Sequence, residues 1–242
     1  MNVLGVILAR GGSKGLPDKH LLDLAGKPVI AHTFAHVRAA RLLSRVVVSS
    51  DCVRILRLAG EHGFEALRRP IELATDSASV QDVLLHAMDA LEAEGSEHID
   101  AVVTLYGNVA LRRAGVIDEA IELLERTGCD SARSFVPVGK WHPRWMSRID
   151  GDRAVACHAG SIHRRQDLEP LFLHDGGVVV SSREAMERGR ADRSDPHGFF
   201  GVDRRAVMCE PTDTVEIDSR RDLLLADAIL RDQALANEVK VA

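Results

Sequence analysis

Apolar and polar residues follow a repeating order along this chain, with short buried runs separated by longer amphipathic stretches. The runs are rich in valine, isoleucine and leucine, which is typical of strands buried on both faces of a sheet. Because amphipathic helical stretches separate most of them, the pattern predicts an α/β fold with a mostly parallel sheet covered on both sides. The predicted strands lie at residues 3–9, 45–50, 64–67, 101–105, 131–138, 176–181, 206–209 and 214–217.

The amphipathic stretches carry start and stop signals of helices. Ser79 with Asp82, and Ser219 with Asp222, match the pairing of an N-cap hydroxyl with an acid three residues later. Gly128 directly follows another stretch and indicates a helix end. The predicted helices lie at residues 28–42, around 55–59, and at 80–94, 114–126, 182–188 and 219–237.

Residues 140–172 depart from this order. Both tryptophans, Trp141 and Trp145, lie here among histidines and arginines, and neither a helical nor a strand period emerges. We interpret the segment as a small inserted arm outside the main sheet, which forms a dimer contact. Since no internal repeat is visible, the pattern predicts a single domain over residues 1–242.

The first predicted strand ends in the stretch Ala9-Arg10-Gly11-Gly12-Ser13-Lys14-Gly15-Leu16-Pro17-Asp18-Lys19. Its glycines allow the backbone to bend or to approach a ligand closely. Backbone N–H groups beside Arg10, Lys14 and Lys19 suit a polyanion such as a nucleoside triphosphate, and Ser13 adds a hydroxyl donor. The plainer alternative is a strand-to-helix turn with solvated cations.

Two common phosphate-binding signatures do not fit this loop. The P-loop has a glycine followed by lysine and then serine or threonine, whereas here Lys14 precedes Gly15. In the dinucleotide fingerprint, Gly12 and Gly15 match the second and third glycines while Arg10 replaces the first. The loop therefore indicates a nucleotide site of another kind, and an NAD-dependent oxidoreductase is a disfavoured alternative.

Two carboxylates lie close together near the other end of the chain. Glu216 and Asp218 are two residues apart on a predicted strand, so both point to one face. Mg²⁺ takes one or two carboxylates together with phosphate oxygens and water, so the pattern predicts a magnesium site. The alternative is that Asp218 only precedes the last helix and favours its dipole, although Ser219 is already available as a cap.

Polar residues follow several of the predicted strands. Arg10, Asp51, Tyr106 and Asp218 all lie at or near strand ends. Ligands of parallel α/β sheets bind beyond the carboxyl ends of the strands. We therefore expect these side chains to converge on one crevice.

Two loops carry weaker signals. Residues 69–79 precede a predicted helix with many hydrogen-bonding groups, as a loop that contacts a base or ribose does. The paired arginines of residues 164–167 suit a carboxylate, but a solvated surface turn fits them equally well. None of the eleven histidines has metal-binding spacing. His20, beside Lys19, is the histidine of most interest.

Composition narrows the function classes. A net charge of −5 over 242 residues, with a pI near 6.1, argues against a nucleic-acid coat or a binder of anionic membranes. Local charge differs, since residues 10–19 hold three cations and one acid. No stretch is long and apolar enough for a membrane span, and no secretory signal is visible. The four scattered cysteines indicate small core residues in a reducing cytoplasm.

The opening stretch resembles the first motif of the acylneuraminate cytidylyltransferases, the CMP-sialic acid synthetases. Residues 69–79 resemble the second motif of that family, and Glu216 and Asp218 with Asp222 resemble its C-terminal metal motif. The resemblance implies a Rossmann-like α/β nucleotidyltransferase fold and a homodimer in which an inserted arm reaches into the partner's site. It also implies that CTP and a nine-carbon 2-keto-3-deoxy sugar acid react, with Mg²⁺, to give a CMP-sugar and pyrophosphate.

The resemblance also implies roles for individual residues. Arg10, Lys19 and Asp218 would be catalytic, with Asp218 helping to deprotonate the attacking hydroxyl. Glu216 and Asp218 would hold the metal. The substrate-binding residues carried over by position are Ala9, Arg10, Gly11, Gly12, Ser13, Lys14, Lys19, Arg69, Asp76, Ser79, Tyr106, Asn108, Arg165 and Gln166.

Three positions depart from the family pattern. His20 stands where the family usually has Asn, Glu216 where it has Asp, and Tyr106-Gly107-Asn108 where it has Gln-Pro-Thr. Because that glutamine helps to recognise the sugar acid, its replacement predicts a different acceptor, another nonulosonic acid or a shorter one. A nucleotidyltransferase for another sugar acid or a sugar 1-phosphate stays open, as does a nucleotide-binding regulator without catalysis.

Overall fold

The computed structural model describes residues 1–95, 98–158, 160 and 162–241, with side chains as far as residue 236. Strands and helices alternate along it, as the hydrophobic pattern predicts. The strands are β1 (Val3–Leu8), β2 (Asp23–Leu24), β3 (Lys27–Pro28), β4 (Arg45–Ser50), β5 (Glu65–Arg68), β6 (Ala101–Tyr106), β7 (Val109–Leu111), β8 (Ser131–Pro137), β9 (Ser147–Asp150), β10 (Arg153–Ala156), β11 (Phe172–Ser182), β12 (Arg204–Met208) and β13 (Val215–Glu216). The helices are α1 (Val29–Ala39), α2 (Val53–Glu61), α3 (Val80–Ala93), α4 (Val116–Thr127), α5 (Arg183–Ala191) and α6 (Arg220–Val241).

Seven strands form the main sheet, in the order β12-β8-β11-β6-β1-β4-β5. β1 lies parallel to β4 and β6, β4 to β5, and β12 to β8. Only β11 runs antiparallel to its neighbours in this sheet, β6 and β8. The prediction of an α/β fold with a mostly parallel sheet is therefore confirmed.

Apolar clusters cover both faces of this sheet. Successive residues of β1 point to opposite faces, so Val3 and Ile7 pack with α1, α2 and α4, while Leu4 and Val6 pack with α3 and α5. Each fully buried side chain of this kind stabilises the fold by about 1.5–3 kcal/mol. Burial on both faces explains why β1 is apolar along its whole length, and it leaves the strand ends as the place for polar chemistry.

The strand predicted at residues 214–217 does not join the main sheet, contrary to expectation. The structure confines it to β13, which pairs antiparallel with the short strand β7 in a separate two-stranded sheet. β7 itself was not predicted from the sequence, since it directly follows the polar break after β6. Asp218 consequently lies just beyond β13 rather than on a strand with Glu216.

The described residues between 140 and 171 add no strand to the main sheet and contain the hairpin β9–β10. Residues 159 and 161 of this segment lie outside the described residues. The following strand begins earlier than predicted, at Phe172 rather than Gly176. A register shift between His174 and Val179 interrupts its pairing with β8, and this irregularity hides the start of the strand from a pattern-based prediction.

The cysteines follow the prediction only in part. Cys129 and Cys209 are buried, as expected of small core residues, but Cys157 is exposed on the inserted segment and Cys52 is half-buried. No disulfide joins them. Within the described residues, no helix has both the length and the apolar character needed to cross a membrane.

Candidate active site

A cavity of about 270 Å³ opens beyond the carboxyl ends of β1 and β6. We call it the first cavity. It brings together side chains from four loops that are far apart in the sequence. Of the polar strand ends expected to converge, Arg10 and Tyr106 line the cavity, while Asp51 and Asp218 contact the glycine-rich loop at Gly11 and Lys19. The predicted site residues that line it are Arg10, Lys19, Arg69, Asp76, Ser79, Tyr106, Asn108 and Glu216.

Two cations of the glycine-rich loop share one carboxylate across this cavity. Arg10 Nη1 lies 2.6 Å from Asp76 Oδ1, and the Lys14 ammonium pairs with the other oxygen of the same carboxylate. Hydrogen bonds from Lys14 and Arg10 lower the pKa of Asp76. Asp76 thus forms the ion pairs with the loop cations that oxygens of a bound phosphate would form.

The loop approaches other backbone segments closely at two of its glycines. A Cβ on Gly11 would lie 2.9 Å from the Cβ of Cys52, and one on Gly15 would lie 3.0 Å from the carbonyl oxygen of Asp218. The Gly11 N–H donates a 2.8 Å hydrogen bond to Asp51 Oδ1, which ties the loop to the end of β4. A side chain at either glycine would therefore push the loop away from the strand ends.

Other predicted loop residues lie outside the lining of the first cavity. Ala9 is fully buried in the core, and Lys14 is largely exposed. Gly11, Gly12 and Ser13 form a tight turn, in which the Ser13 N–H donates to the Gly11 carbonyl at 3.1 Å. These residues contribute backbone shape and charge around the cavity rather than its wall.

The two C-terminal carboxylates meet at a single amide. Asn108 Nδ2 lies 3.1 Å from Glu216 Oε1 and 3.2 Å from Asp218 Oδ1. Lys19 Nζ donates to Asp218 Oδ1 at 2.7 Å. The pairing of β7 with β13 carries Glu216 to this position, and the Ile217 N–H donates to the Asn108 carbonyl at 2.8 Å.

These carboxylates form an electron-rich pair. Burial raises the pKa of Glu216, and the negative charge of Asp218 raises it further. Within the described part of the chain, no group of three or more His, Cys, Asp or Glu side chains has a metal-binding arrangement. Asp222, four residues after Asp218, instead accepts hydrogen bonds from Ser219 at 2.8 Å and caps α6, as its spacing predicts.

His20 and Arg69 form the deep wall of the first cavity. Burial and the neighbouring Lys19 lower the pKa of His20 to about 4, so the imidazole is neutral at physiological pH. Arg69 is anchored by hydrogen bonds from its guanidinium to the hydroxyl (3.1 Å) and carbonyl (2.9 Å) of Ser49, and burial lowers its pKa to about 10. In the sequence, His20 stands out by its position beside Lys19 and as a departure from the family's Asn, and in the structure it lines the first cavity.

Two predicted site residues lie away from the first cavity. Arg165 and Gln166 sit on a short 3-10 turn of the inserted segment, where the Arg165 guanidinium lies against Gly139. The structure of one chain therefore does not bring them together with Arg10 or Asp218.

A stretch of β11 at residues 174–177, which differs from the Asn-Gly of the family pattern and is not among the predicted site residues, lies beside Glu216. A Cβ on Gly176 would lie 3.4 Å from Glu216 Oε2, and Asp175 accepts a 2.7 Å hydrogen bond from the Thr214 hydroxyl. The signal available in the sequence was the glycine pair Gly176-Gly177, because glycines inside a strand mark a bulge or a close approach.

A family model described as cytidylyltransferase matches residues 4–145 of this chain. The N-acylneuraminate cytidylyltransferase of Streptococcus agalactiae is 31% identical over 229 residues, which are 93% of this chain and 52% of the relative. The CMP-N,N'-diacetyllegionaminic acid synthase of Legionella pneumophila is 26% identical over 237 residues, which are 95% of this chain and 97% of the relative. The chain thus spans about half the length of the first relative and nearly all of the second.

A solved structure of a CMP:2-keto-3-deoxy-manno-octonic acid synthetase complexed with CTP has a similar fold. Its TM-score is 0.73 at 18% sequence identity, and the match covers 96% of this chain and 100% of that chain. At this identity the likeness shows the fold alone. It confirms the predicted Rossmann-like architecture of the nucleotidyltransferase type.

Proposed function

Because the chain belongs to the cytidylyltransferase family, we propose that it transfers CMP from CTP to a nonulosonic, sialic-type 2-keto-3-deoxy sugar acid and releases pyrophosphate. One observation carries the proposal. Arg10, Lys19 and Glu216 line the first cavity, and Asp218 accepts a hydrogen bond from Lys19, although about 200 residues separate the cations from the carboxylates in the sequence. Phosphoryl transfer depends on positioning and on positive charge around the phosphates, to which cationic side chains and metal ions held by carboxylates contribute.

The first cavity is our proposed CTP site. Arg10, Lys14 and Lys19 supply positive charge for the triphosphate once Asp76 gives up its ion pairs. Arg69, held by Ser49, faces the space beside the loop at residues 75–79, where the base and ribose would lie. The backbone N–H groups of the glycine-rich loop add further donors for phosphate oxygens.

A neighbouring cavity of about 430 Å³ is our proposed acceptor site. It shares Ala78, Ser79, Val80 and Tyr106 with the first cavity, so the two spaces adjoin at these residues. An acceptor there would present its anomeric hydroxyl to the α-phosphate of CTP across a short distance. This arrangement suits an in-line displacement.

The chemistry follows from these positions. The anomeric oxygen forms a bond to the α-phosphorus while the bond from that phosphorus to the oxygen of the β-phosphate breaks. The proton of the hydroxyl passes to the Asp218 carboxylate, directly or through water. Lys19 and Arg10 stabilise the charge that develops on the departing pyrophosphate.

The carboxylates of Glu216 and Asp218 fit a magnesium ion. Both are oxygen donors next to the proposed triphosphate site, and Mg²⁺ is commonly held by one or two carboxylates plus substrate phosphates. Burial and the negative charge of Asp218 raise the pKa of the Glu216 carboxyl. A bound cation would favour the charged form of this carboxyl. When bound, the ion would neutralise phosphate oxygens and polarise the reacting phosphoryl group.

We further propose that the protein works as a cytoplasmic homodimer. The described part of the inserted segment exposes large apolar side chains, namely Trp141, Trp145, Met146, Ile149 and Val155. Exposed apolar surface of this kind is typical of a protein contact. Docking of this arm onto a partner chain would bring Arg165 and Gln166 to the partner's acceptor site.

A pyrophosphate-release assay with each of the four nucleoside triphosphates and Mg²⁺ tests the proposal. The acceptors are N-acetylneuraminate, N,N′-diacetyllegionaminate, pseudaminate, 2-keto-3-deoxy-manno-octonate and, as a contrast, a sugar 1-phosphate. We expect release with CTP and at least one of the sugar acids. CTP binding without release for any acceptor would indicate a regulator, release with only the sugar phosphate would change the substrate class, and NADH binding without CTP binding would overturn the proposal.

A further inference from the structure

An arginine that the sequence analysis did not select lines the proposed acceptor cavity. Arg133 lies on β8, opposite Val179 of β11, and its side chain reaches the cavity beside Tyr106 and His174. Its guanidinium carbon lies 4.2 Å from the ring centroid of Phe200 and 5.0 Å from that of Phe135. Two aromatic rings therefore fix the position of the charged group.

The positive charge of Arg133 has no carboxylate partner. Across the described ranges, no Asp or Glu oxygen comes within ion-pair distance of its guanidinium, whereas Arg188 and Arg205 pair with Asp130 and Asp203. Its Nε is buried and has no hydrogen-bond partner. Burial lowers the pKa of Arg133, as does the charge of Arg204. A buried donor without a partner costs free energy of folding. Its position in a cavity wall therefore points to a bound anion as the partner.

The surroundings of Arg133 favour a carboxylate on a molecule that has both hydrogen-bonding groups and apolar surface. The His174 imidazole has a second buried nitrogen, Nε2, without a partner, while its Nδ1 lies 2.9 Å from the Ser134 carbonyl oxygen. Phe199 and Phe200 form an apolar wall. A carboxylate with neighbouring hydroxyl groups would satisfy both unpartnered nitrogens, and arginine is the side chain best suited to carboxylates.

We propose that Arg133 binds the carboxylate of the sugar-acid acceptor and thereby determines acceptor specificity. This inference rests on the proposed function, since it assigns a residue to the acceptor half of that reaction. In a 2-keto-3-deoxy sugar acid the carboxylate is bonded to the anomeric carbon. Anchoring the carboxylate at Arg133 therefore directs the adjacent anomeric hydroxyl towards Tyr106 and the first cavity.

The test compares each acceptor acid with its methyl ester, which removes the negative charge and keeps the sugar. The variant Arg133→Met keeps an apolar stem over the two phenylalanine rings. We expect the KM for the best acid to rise about 10- to 100-fold in this variant, as for the loss of a hydrogen bond to a charged group. The KM for CTP should stay unchanged, and wild type and variant should use the ester equally poorly.

Two further variants separate this role from a structural one. Arg133→Lys keeps the charge and should recover part of the preference for acid over ester. Arg204 provides a matched control, since its guanidinium carbon lies 5.8 Å from the same Phe200 ring but its side chain is exposed. Arg204→Met should leave the preference unchanged. Thermal denaturation followed by circular dichroism checks that each variant is folded.

Calorimetric titration of the acids into the same proteins provides a readout that does not need turnover. The inference is supported if folded Arg133→Met loses acid binding while Arg204→Met keeps it. This holds even if no pyrophosphate is released, and only the proposed reaction then fails. A folded Arg133→Met protein that still prefers acid over ester overturns the inference while leaving the proposed function intact. Wild-type protein that neither binds nor uses any of the acids overturns both.

Discussion

At the scale of single residues, the Asp218 carboxylate is the side chain whose role in turnover can be measured apart from any role in folding. It accepts from Lys19 and lies beside Asn108 and Glu216. We expect Asp218→Asn to lower magnesium-dependent turnover by about 100-fold or more, because it removes a charge at the reacting centre and keeps the side-chain shape.

The control for this change is Asp227→Asn, which breaks an ion pair with Arg231 on the surface of α6. Pyrophosphate release as a function of magnesium concentration measures the effect, and the control should behave as wild type. Near-normal turnover of Asp218→Asn with an unchanged magnesium requirement would remove Asp218 from the proposed metal site.

A substitution at Tyr106 tests acceptor specificity most directly. It lies between the two cavities, and burial, followed by the charge of Glu216, raises the pKa of its hydroxyl. We expect Tyr106→Gln to shift the ratio of kcat/KM for N-acetylneuraminate over the other acids by about tenfold, since it replaces an aromatic wall with a hydrogen-bonding amide. Tyr106→Phe keeps the ring and serves as the control. A ratio that does not move would show that other residues select the acceptor.

Residue identities could be predicted from the sequence where chemistry and spacing coincide, and not where a contact depends on strand pairing. Arg10 and Lys19 were found because charge, glycine and a strand end occur together. Arg133 could not be found in this way, since its neighbours in sequence are ordinary strand residues. Arg133 stands out because, among the described residues, no carboxylate lies near its guanidinium in the folded structure. No local sequence pattern predicts this.

At the scale of secondary-structure elements, ion pairs link α3 and α5 on the same face of the sheet, and one of them joins Glu92 to Arg183. Glu92 near the end of α3 accepts from Arg183 at the start of α5, with Nη2 3.3 Å from Oε2. The hydrogen bond from Arg183 lowers the pKa of Glu92. Since the folded-state pKa is below the unfolded value, the pair stabilises the fold above the unfolded pKa of about 4.3, and this stabilisation is lost as pH falls through the lower folded value.

The variant Glu92→Gln tests this contribution. We expect it to reduce the free energy of unfolding at pH 7 by about 0.5–1 kcal/mol, as for a partly exposed ion pair. The difference from wild type should shrink as the pH is lowered below the folded pKa of Glu92. Urea denaturation at a series of pH values measures it. Glu122→Gln, at an exposed position of α4, should show no such dependence, and a pH-independent loss in Glu92→Gln would contradict the ion-pair account.

Elements were predictable from the sequence where they are long and buried. The core strands and α3 were predicted within a few residues, because their apolar periods and caps are strong local signals. β7 was not predicted, and β13 was predicted as a strand but its pairing with β7 was not, since two- and three-residue strands have no measurable period. Their pairing nevertheless positions Glu216 next to Asn108, so the least predictable elements carry part of the site.

At the scale of the whole molecule, the position of Arg165 allows a test of the proposed dimer. Arg165 lies outside both cavities of its own chain, so under our proposal it acts in the partner's site. Asp218→Asn and Arg165→Met should each be impaired alone. Co-refolded in equal amounts, they should regain about a quarter of wild-type activity, because half of the dimers then contain one intact site of two.

The control for this mixing experiment is Arg164→Met, whose native guanidinium pairs with Asp167 within the arm at 2.8 Å. It should keep its activity alone. A mixture of the two impaired variants that stays as inactive as its parents, while light scattering shows a dimer, would mean that the arm does not reach the partner's site. A monomer in light scattering would contradict the dimer itself.

The ion pairs of Asp76 set a threshold for the ligand of the glycine-rich loop. Arg10 and Lys14 share the single negative charge of this carboxylate, so an incoming anion competes with it for both cations. A triphosphate offers enough negative charge to compensate for the lost pairs, whereas inorganic phosphate or a nucleoside monophosphate offers too little. Under the proposed function, Asp76 thereby keeps the reaction's own nucleotide product, and abundant cellular phosphate, from competing strongly with the triphosphate for the loop.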